Sequence, residues 1–118
     1  MNYSGFFEGK RVTIMGLGLL GRGVGDAAFI AEHGGIVTVT DTKSEAELAE
    51  SVTALKDHAI MFHLGGHQEA DFTGADMVLK AAGVPLDSSF IIAAQKAGVP
   101  VHMSSALAAT FAAAAGAT

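Results

Sequence analysis

The run Arg11-Val-Thr-Ile-Met15 ends directly on Gly16-Leu-Gly-Leu-Leu-Gly21, and this junction constrains the fold more than any other stretch. Glycines spaced G-x-G-x-x-G after a strand have distinct duties: a tight turn, close approach of backbone to phosphate, and close packing of helix on strand. The helix that follows directs its N-terminal N–H groups and positive dipole end at an anion. Such a turn belongs in an α/β chain whose strands run parallel.

The rest of the chain repeats that alternation. Residues from about Leu19 to His33 carry Val24, Ala27, Ala28 and Ala31 at helical spacing, and Gly34-Gly35 stops them. Ile36-Val-Thr-Val-Thr40 is a second strand that delivers Asp41 at its carboxyl end. Ser44 and Glu47 form a capping box for a helix striped with Leu48, Val52 and Leu55. Ala59–His63 is expected as strand three and Met77–Lys80 as strand four. Asp87-Ser-Ser opens a further helix running to Gly98, Val99–Met103 is strand five, and Ser104-Ser105 caps an alanine-rich tail. Right-handed crossovers then order the strands 3-2-1-4-5, with the switch point beside strand one. The expectation is one domain over residues 1–118. It is a Rossmann-like three-layer α/β sandwich around a doubly wound, mainly five-stranded parallel sheet.

Composition agrees with this and removes several function classes. Half of the 118 residues are hydrophobic and 16% are charged, so the chain can bury a core and is not a disordered solvating segment. With no cysteine there are neither disulfides nor thiolate metal sites. A net charge of −5 gives no general attraction to nucleic acid or to anionic membranes. No apolar stretch reaches the roughly 18–20 residues that span a bilayer. Met1-Asn-Tyr-Ser-Gly-Phe-Phe-Glu8 lacks the basic and apolar regions of a signal peptide. A cytoplasmic location is the expectation.

Candidate binding residues cluster at the carboxyl ends of the strands. Gly16, Gly18 and Gly21 form the phosphate-facing turn. Asp41, some 20 residues on, suits hydrogen bonding to ribose or base hydroxyls, with Thr42 and Lys43 beside it. Gly83, past strand four, stands where a second wall of the crevice would form. His63, His67 and Asp71 follow at four-residue intervals, but Gly65-Gly66 breaks any helix that would align them. They are read as loop and strand-end residues rather than metal ligands. No catalytic residue and no metal ligand is identified, because the chain has no P-loop lysine motif, no Ser-His-Asp arrangement and no interpretable carboxylate pair.

Gly9–Gly21, Asp41-Thr-Lys43, Leu64–Asp76 and Ala82-Gly-Val-Pro85, taken in that order, resemble the N-terminal domain of the Mur ligases, specifically the branch that joins D-glutamate to UDP-N-acetylmuramoyl-L-alanine. The resemblance covers nearly the whole chain. It implies a domain that holds the UDP moiety of that precursor during cytoplasmic peptidoglycan synthesis, and so serves cell shape and division. ATP and Mg2+ would be bound by a central domain and the incoming amino acid by a C-terminal one. The resemblance places this chain before the central domain, and it implies no cofactor here and no activity for the chain alone. Gly18, Leu19 and Leu20 would meet the diphosphate and uridine through backbone N–H groups. Asp41, Thr42 and Lys43 would flank uracil and ribose, with Gly83 opposite. The chain departs from the family pattern at Leu20, where a small hydroxyl residue is common, and at Ala81-Ala82, where Ser-Pro or Asn-Pro is common. Met103-Ser-Ser-Ala106 also lacks the acidic residue often found after strand five. The competing expectation is an NAD-binding domain of an oxidoreductase or nucleotide sensor, which the glycine turn and Asp41 would serve equally well.

Overall fold

A computed structural model describes residues 7–17, 22–80 and 87–103. Five parallel strands form the sheet: β1 (Arg11–Met15), β2 (Ile36–Asp41), β3 (Ile60–Leu64), β4 (Met77–Lys80) and β5 (Val101–Met103). Their order is β3-β2-β1-β4-β5, so the direction of winding reverses at β1. Among the described residues, four helices connect them: α1 (Arg22–Glu32), α2 (Ala49–Ala54), α3 (Glu69–Thr73) and α4 (Ser89–Lys96).

The alternation of side chains along each strand divides the core in two. Val12 and Ile14 of β1, Val37 and Val39 of β2, and Met77 and Leu79 of β4 face one cluster with Ala27 and Ile30 of α1 and Leu48 and Leu55 around α2. Met15 and Val78 face the other side, where Phe72 of α3 and Ile91 and Ala94 of α4 cover them. β1 and β4 are buried almost throughout because neighbours flank them and helices cover both faces. The edge strand β3 is only partly covered, and Met61 is 58% exposed.

Polar residues set the register where hydrophobic ones would leave it free. Asp76, just before β4, accepts the Arg11 N–H on its carboxylate at 2.7 Å and donates its own N–H to the Arg11 carbonyl. That two-way link aligns the entry of β4 with the entry of β1. The Arg11–Asp76 ion pair itself is solvent-exposed and contributes little. Thr13, buried inside β1, satisfies its hydroxyl by donating to the Asp71 carbonyl at α3.

Three expectations need correction. The regular helix after β2 begins at Ala49 rather than at Ser44. The capping box does close, with Ser44 N–H donating to Glu47 Oε1 and Glu47 N–H donating to Ser44 Oγ, but it locks a separate turn before the helix. β5 begins at Val101 instead of Val99, although the carbonyl of Pro100 still accepts the Val78 N–H. Proline has no N–H to give a ladder, which shortens the strand. The one-turn helix α3 was not anticipated, since five residues with a single buried side chain, Phe72, carry no apolar period. Ser104-Ser105 and the alanine-rich tail lie outside the described residues.

Leu79 is fully buried beside the switch point, whereas Met61 lies on the open face of the edge strand. Leu79→Ala is expected to cost about 2–5 kcal/mol in urea denaturation, and Met61→Thr less than about 0.5 kcal/mol. Equal effects would mean that the division between covered and open sheet is wrong.

Candidate functional site

The carboxyl ends of β1 and β2 are tied together by hydrogen bonds around Asp41. Gly16 leaves β1 with φ of 89°, a left-handed conformation natural to glycine, and donates its N–H to the Thr40 carbonyl at 2.8 Å. The next residue, Leu17, sinks its side chain into the core and donates its N–H to Asp41 Oδ2 at 3.0 Å. The other oxygen, Oδ1, accepts the Lys43 N–H at 2.9 Å. Asp41 is only 8% exposed, and backbone donors engage both its oxygens. The carboxylate therefore braces the start of the glycine turn against the segment leaving β2. Thr42 is exposed and Lys43 half-buried on that same segment.

A second loop supports the β2 exit from the far side. Gly65 donates its N–H to the Lys43 carbonyl at 2.8 Å, and Gly66 donates to the Asp41 carbonyl at 3.0 Å. Their φ values of 83° and 150° lie where side-chain-bearing residues are strained, so this Gly-Gly pair makes a backbone clamp rather than merely ending a helix. Between this loop and the β2 exit lies an open hollow of about 470 Å3, lined by Ser44, Glu45, Phe62, Leu64 and Gly65.

His67 follows the clamp. Its Nδ1 is hydrogen-bonded to Thr40 Oγ1 at 2.6 Å, and its ring stands edge-on to Phe72 and Phe90 at centroid distances of 5.8 and 5.2 Å. Burial pushes its pKa below the ordinary imidazole value, and the negative charge of Asp41 only partly opposes this. His63 takes a different partner, donating Nδ1–H to Asp71 Oδ2 at 2.6 Å. The spaced His63, His67 and Asp71 thus divide between two contacts. Among the described residues no group of three or more His, Cys, Asp or Glu is arranged to hold a metal.

The structure brings Gly16, Asp41, Thr42 and Lys43 into one neighbourhood at the switch point. Gly18, Leu19, Leu20, Gly21 and Gly83 lie outside the described residues. No sequence motif marks Thr40 or Lys80, and none pairs His67 with Thr40. Lys80 is 5% exposed at the end of β4, a rare placement for a lysine. Cross-strand register puts His63, Thr40, Met15, Lys80 and Met103 in one row. The available signal was polar residues at the ends of otherwise apolar strands.

Two outcomes follow from this geometry. Asp41→Asn turns one acceptor into a donor facing a backbone N–H, so the chain should lose about 1–3 kcal/mol of stability in urea. Unchanged stability would remove Asp41 as a brace. Because the folded-state pKa of His67 is lowered, the unfolded chain binds more protons near pH 6. The contribution of neutral His67 is full above its ordinary pKa and is lost as pH falls toward the folded value. The stability difference between wild type and His67→Asn should accordingly shrink from pH 7.5 to pH 5.5, and a constant difference would contradict the lowered pKa.

Comparison with known proteins places this geometry in a family. The chain is 46% identical over 104 residues to the UDP-N-acetylmuramoylalanine–D-glutamate ligase of Anaeromyxobacter dehalogenans, covering 88% of this chain and 22% of that one. It is 40% identical over 104 residues to the ligase of the same name from Koribacter versatilis, with the same coverage. The chain thus spans about a fifth of the length of the curated relatives it matches. A pseudomurein peptide ligase type C from Methanothermus fervidus shares the fold, with a TM-score of 0.60 and 19% identity over 80% of this chain and 19% of that one. The family described as Mur ligase MurD-like, N-terminal domain, matches residues 10–103, and the chain belongs to it.

Proposed function

We propose that this chain holds the UDP moiety of UDP-N-acetylmuramoyl-L-alanine for a ligase that adds D-glutamate to it during peptidoglycan precursor synthesis in the cytoplasm. The observation that carries this reading is the Asp41 brace, which joins the glycine turn to the β2 exit at the switch point of the sheet. Open α/β sheets bind their ligands at that point, outside the carboxyl ends of the strands. Membership of the MurD-like family supports UDP over a dinucleotide, and the NAD alternative gains nothing from it.

In this reading the backbone N–H groups of Gly18, Leu19 and Leu20 and the N-terminal end of α1 neutralise the diphosphate, which lets an acidic chain bind an anion. Asp41, Thr42 and Lys43 flank uracil and ribose, and Gly83 forms the opposite wall. Asp41 acts chiefly through the backbone that it fixes. Thr42 and Lys43, exposed and half-exposed, supply side-chain contacts to the ligand. The hollow beside Ser44 and Gly65 offers room next to them for a pyrimidine ring.

The chemistry belongs to other domains of the full ligase, joined in cis. No G-x-x-x-x-G-K-[ST] segment occurs in these 118 residues, and in this reading ATP and Mg2+ are held by another domain. There the precursor's carboxylate would be activated as an acyl phosphate for attack by the D-glutamate amine. This chain contributes orientation: by gripping the nucleotide handle it fixes where the distant carboxylate lies. Alone it is expected to bind without catalysing.

Calorimetric titration with UDP, UDP-N-acetylmuramoyl-L-alanine and NAD tests the proposal. UDP and the precursor should bind while NAD does not, and preferential NAD binding would overturn it. Lys43→Ala should weaken UDP by roughly 0.5–1.5 kcal/mol without loss of fold stability. Unchanged affinity would take the Lys43 side chain out of the site.

A further inference from the structure

The β2 exit is held from two sides. Toward β1, the Thr40 carbonyl accepts the Gly16 N–H and the Asp41 carboxylate accepts the Leu17 N–H. Toward β3, the Gly65-Gly66-His67 loop grips the same segment at three points: the Lys43 carbonyl, the Asp41 carbonyl and the Thr40 hydroxyl. Only the last of these is a side-chain contact. It is also the contact that reaches furthest, because the His67 ring is lodged against Phe72 of α3 and Phe90 of α4. Those two rings are themselves in contact, with centroids 5.3 Å apart.

We propose that His67 is a positioning residue for the nucleotide crevice: by holding Thr40 and anchoring its own ring on Phe72 and Phe90, it fixes the β2 exit that presents Asp41 to the glycine turn. The inference rests on the function proposed above for the crevice, but assigns a role to a residue that lies on the other side of β2 from the turn.

A carboxylate accepts two backbone N–H groups well only if both donors and its own Cα hold their places, and angular drift weakens such bonds steeply. Asp41 directly follows Thr40, so a displacement of Thr40 moves the carboxylate relative to Leu17. The imidazole–hydroxyl bond restrains Thr40 on the sheet face opposite Asp41. The aromatic pair keeps the imidazole from swinging away, since both rings meet it edge-on. The charged and titratable groups around it are Asp41 on β2, His63 paired with Asp71 across β3 and α3, and Lys80 in the same cross-sheet row. A neutral ring is the form that burial favours there.

The test compares wild type with His67→Ala and His67→Asn, the latter keeping a polar group near the place of Nδ1. Amide hydrogen exchange of Leu17 and Lys43 is followed by NMR without ligand, with Leu79 and Val39 as core references, and UDP affinity is measured by calorimetry. In His67→Ala the Leu17 and Lys43 amides should exchange at least tenfold faster while Leu79 and Val39 keep their rates. UDP should bind at least fivefold more weakly, and His67→Asn should recover most of both losses. Should His67→Ala fail to fold, Thr40→Val cuts the same bond from its other end and is read in the same way. Unchanged protection of Leu17 and Lys43, or an equal rise at Leu79, would overturn the positioning role. A wild-type chain that binds no UDP would overturn the function proposed above, and the Leu17 exchange rate would still decide the role of His67.

Discussion

The carboxylate of Asp41 is the constraint on which the rest of the site depends. One buried group accepts the Leu17 N–H at the mouth of the glycine turn and the Lys43 N–H two residues beyond itself. Two strands that neighbour each other in the sheet are thereby joined once more at their carboxyl ends, past their last register pair, Met15 and Thr40. A buried carboxylate is tolerated because both of its oxygens are satisfied by backbone donors. The acid that sequence patterns mark as a ligand contact is thus an architectural element in its own right.

Much of the fold was legible because burial imposes strong patterns. β1 and β4 are found at the residues expected, since a strand buried on both faces must be a continuous apolar run bounded by polar or turn residues. The strand order followed from connection handedness once alternating elements were recognised. What escaped notice depended on contacts between distant residues. α3 has one buried side chain and leaves no periodic trace. The capping box at Ser44 and Glu47 was correctly seen as a hydrogen-bonded pair, yet local chemistry could not tell a lone turn from the start of a helix.

The candidate site divides along the same line. Gly16 and Asp41 were marked by motif spacing, and Thr42 and Lys43 by adjacency to Asp41 and the family resemblance; all lie at the carboxyl ends of β1 and β2. The partners that give them meaning were not marked, because Leu17 and Asp41 are 24 residues apart and Thr40 and His67 are 27 apart. Gly65-Gly66 reads in sequence only as a pair that rules out a helix, whereas its N–H groups clamp the β2 exit in backbone conformations suited to glycine. Interactions between loops depend on three-dimensional register, and a motif spacing records only one side of them.

As a MurD-like N-terminal domain, the chain is proposed to contribute grip rather than chemistry, and grip requires that the crevice be formed before the ligand arrives. In that proposal the Asp41 carboxylate and the Gly65-Gly66 clamp, both bonded to backbone groups, supply the preorganisation. The most direct test is NMR shift mapping of the amide groups with UDP-N-acetylmuramoyl-L-alanine. Perturbations are predicted to concentrate at Gly16–Gly21, Asp41–Lys43 and around Gly83. Perturbations confined to the far edge at Met61 and Ile36, or none at millimolar precursor, would contradict the account.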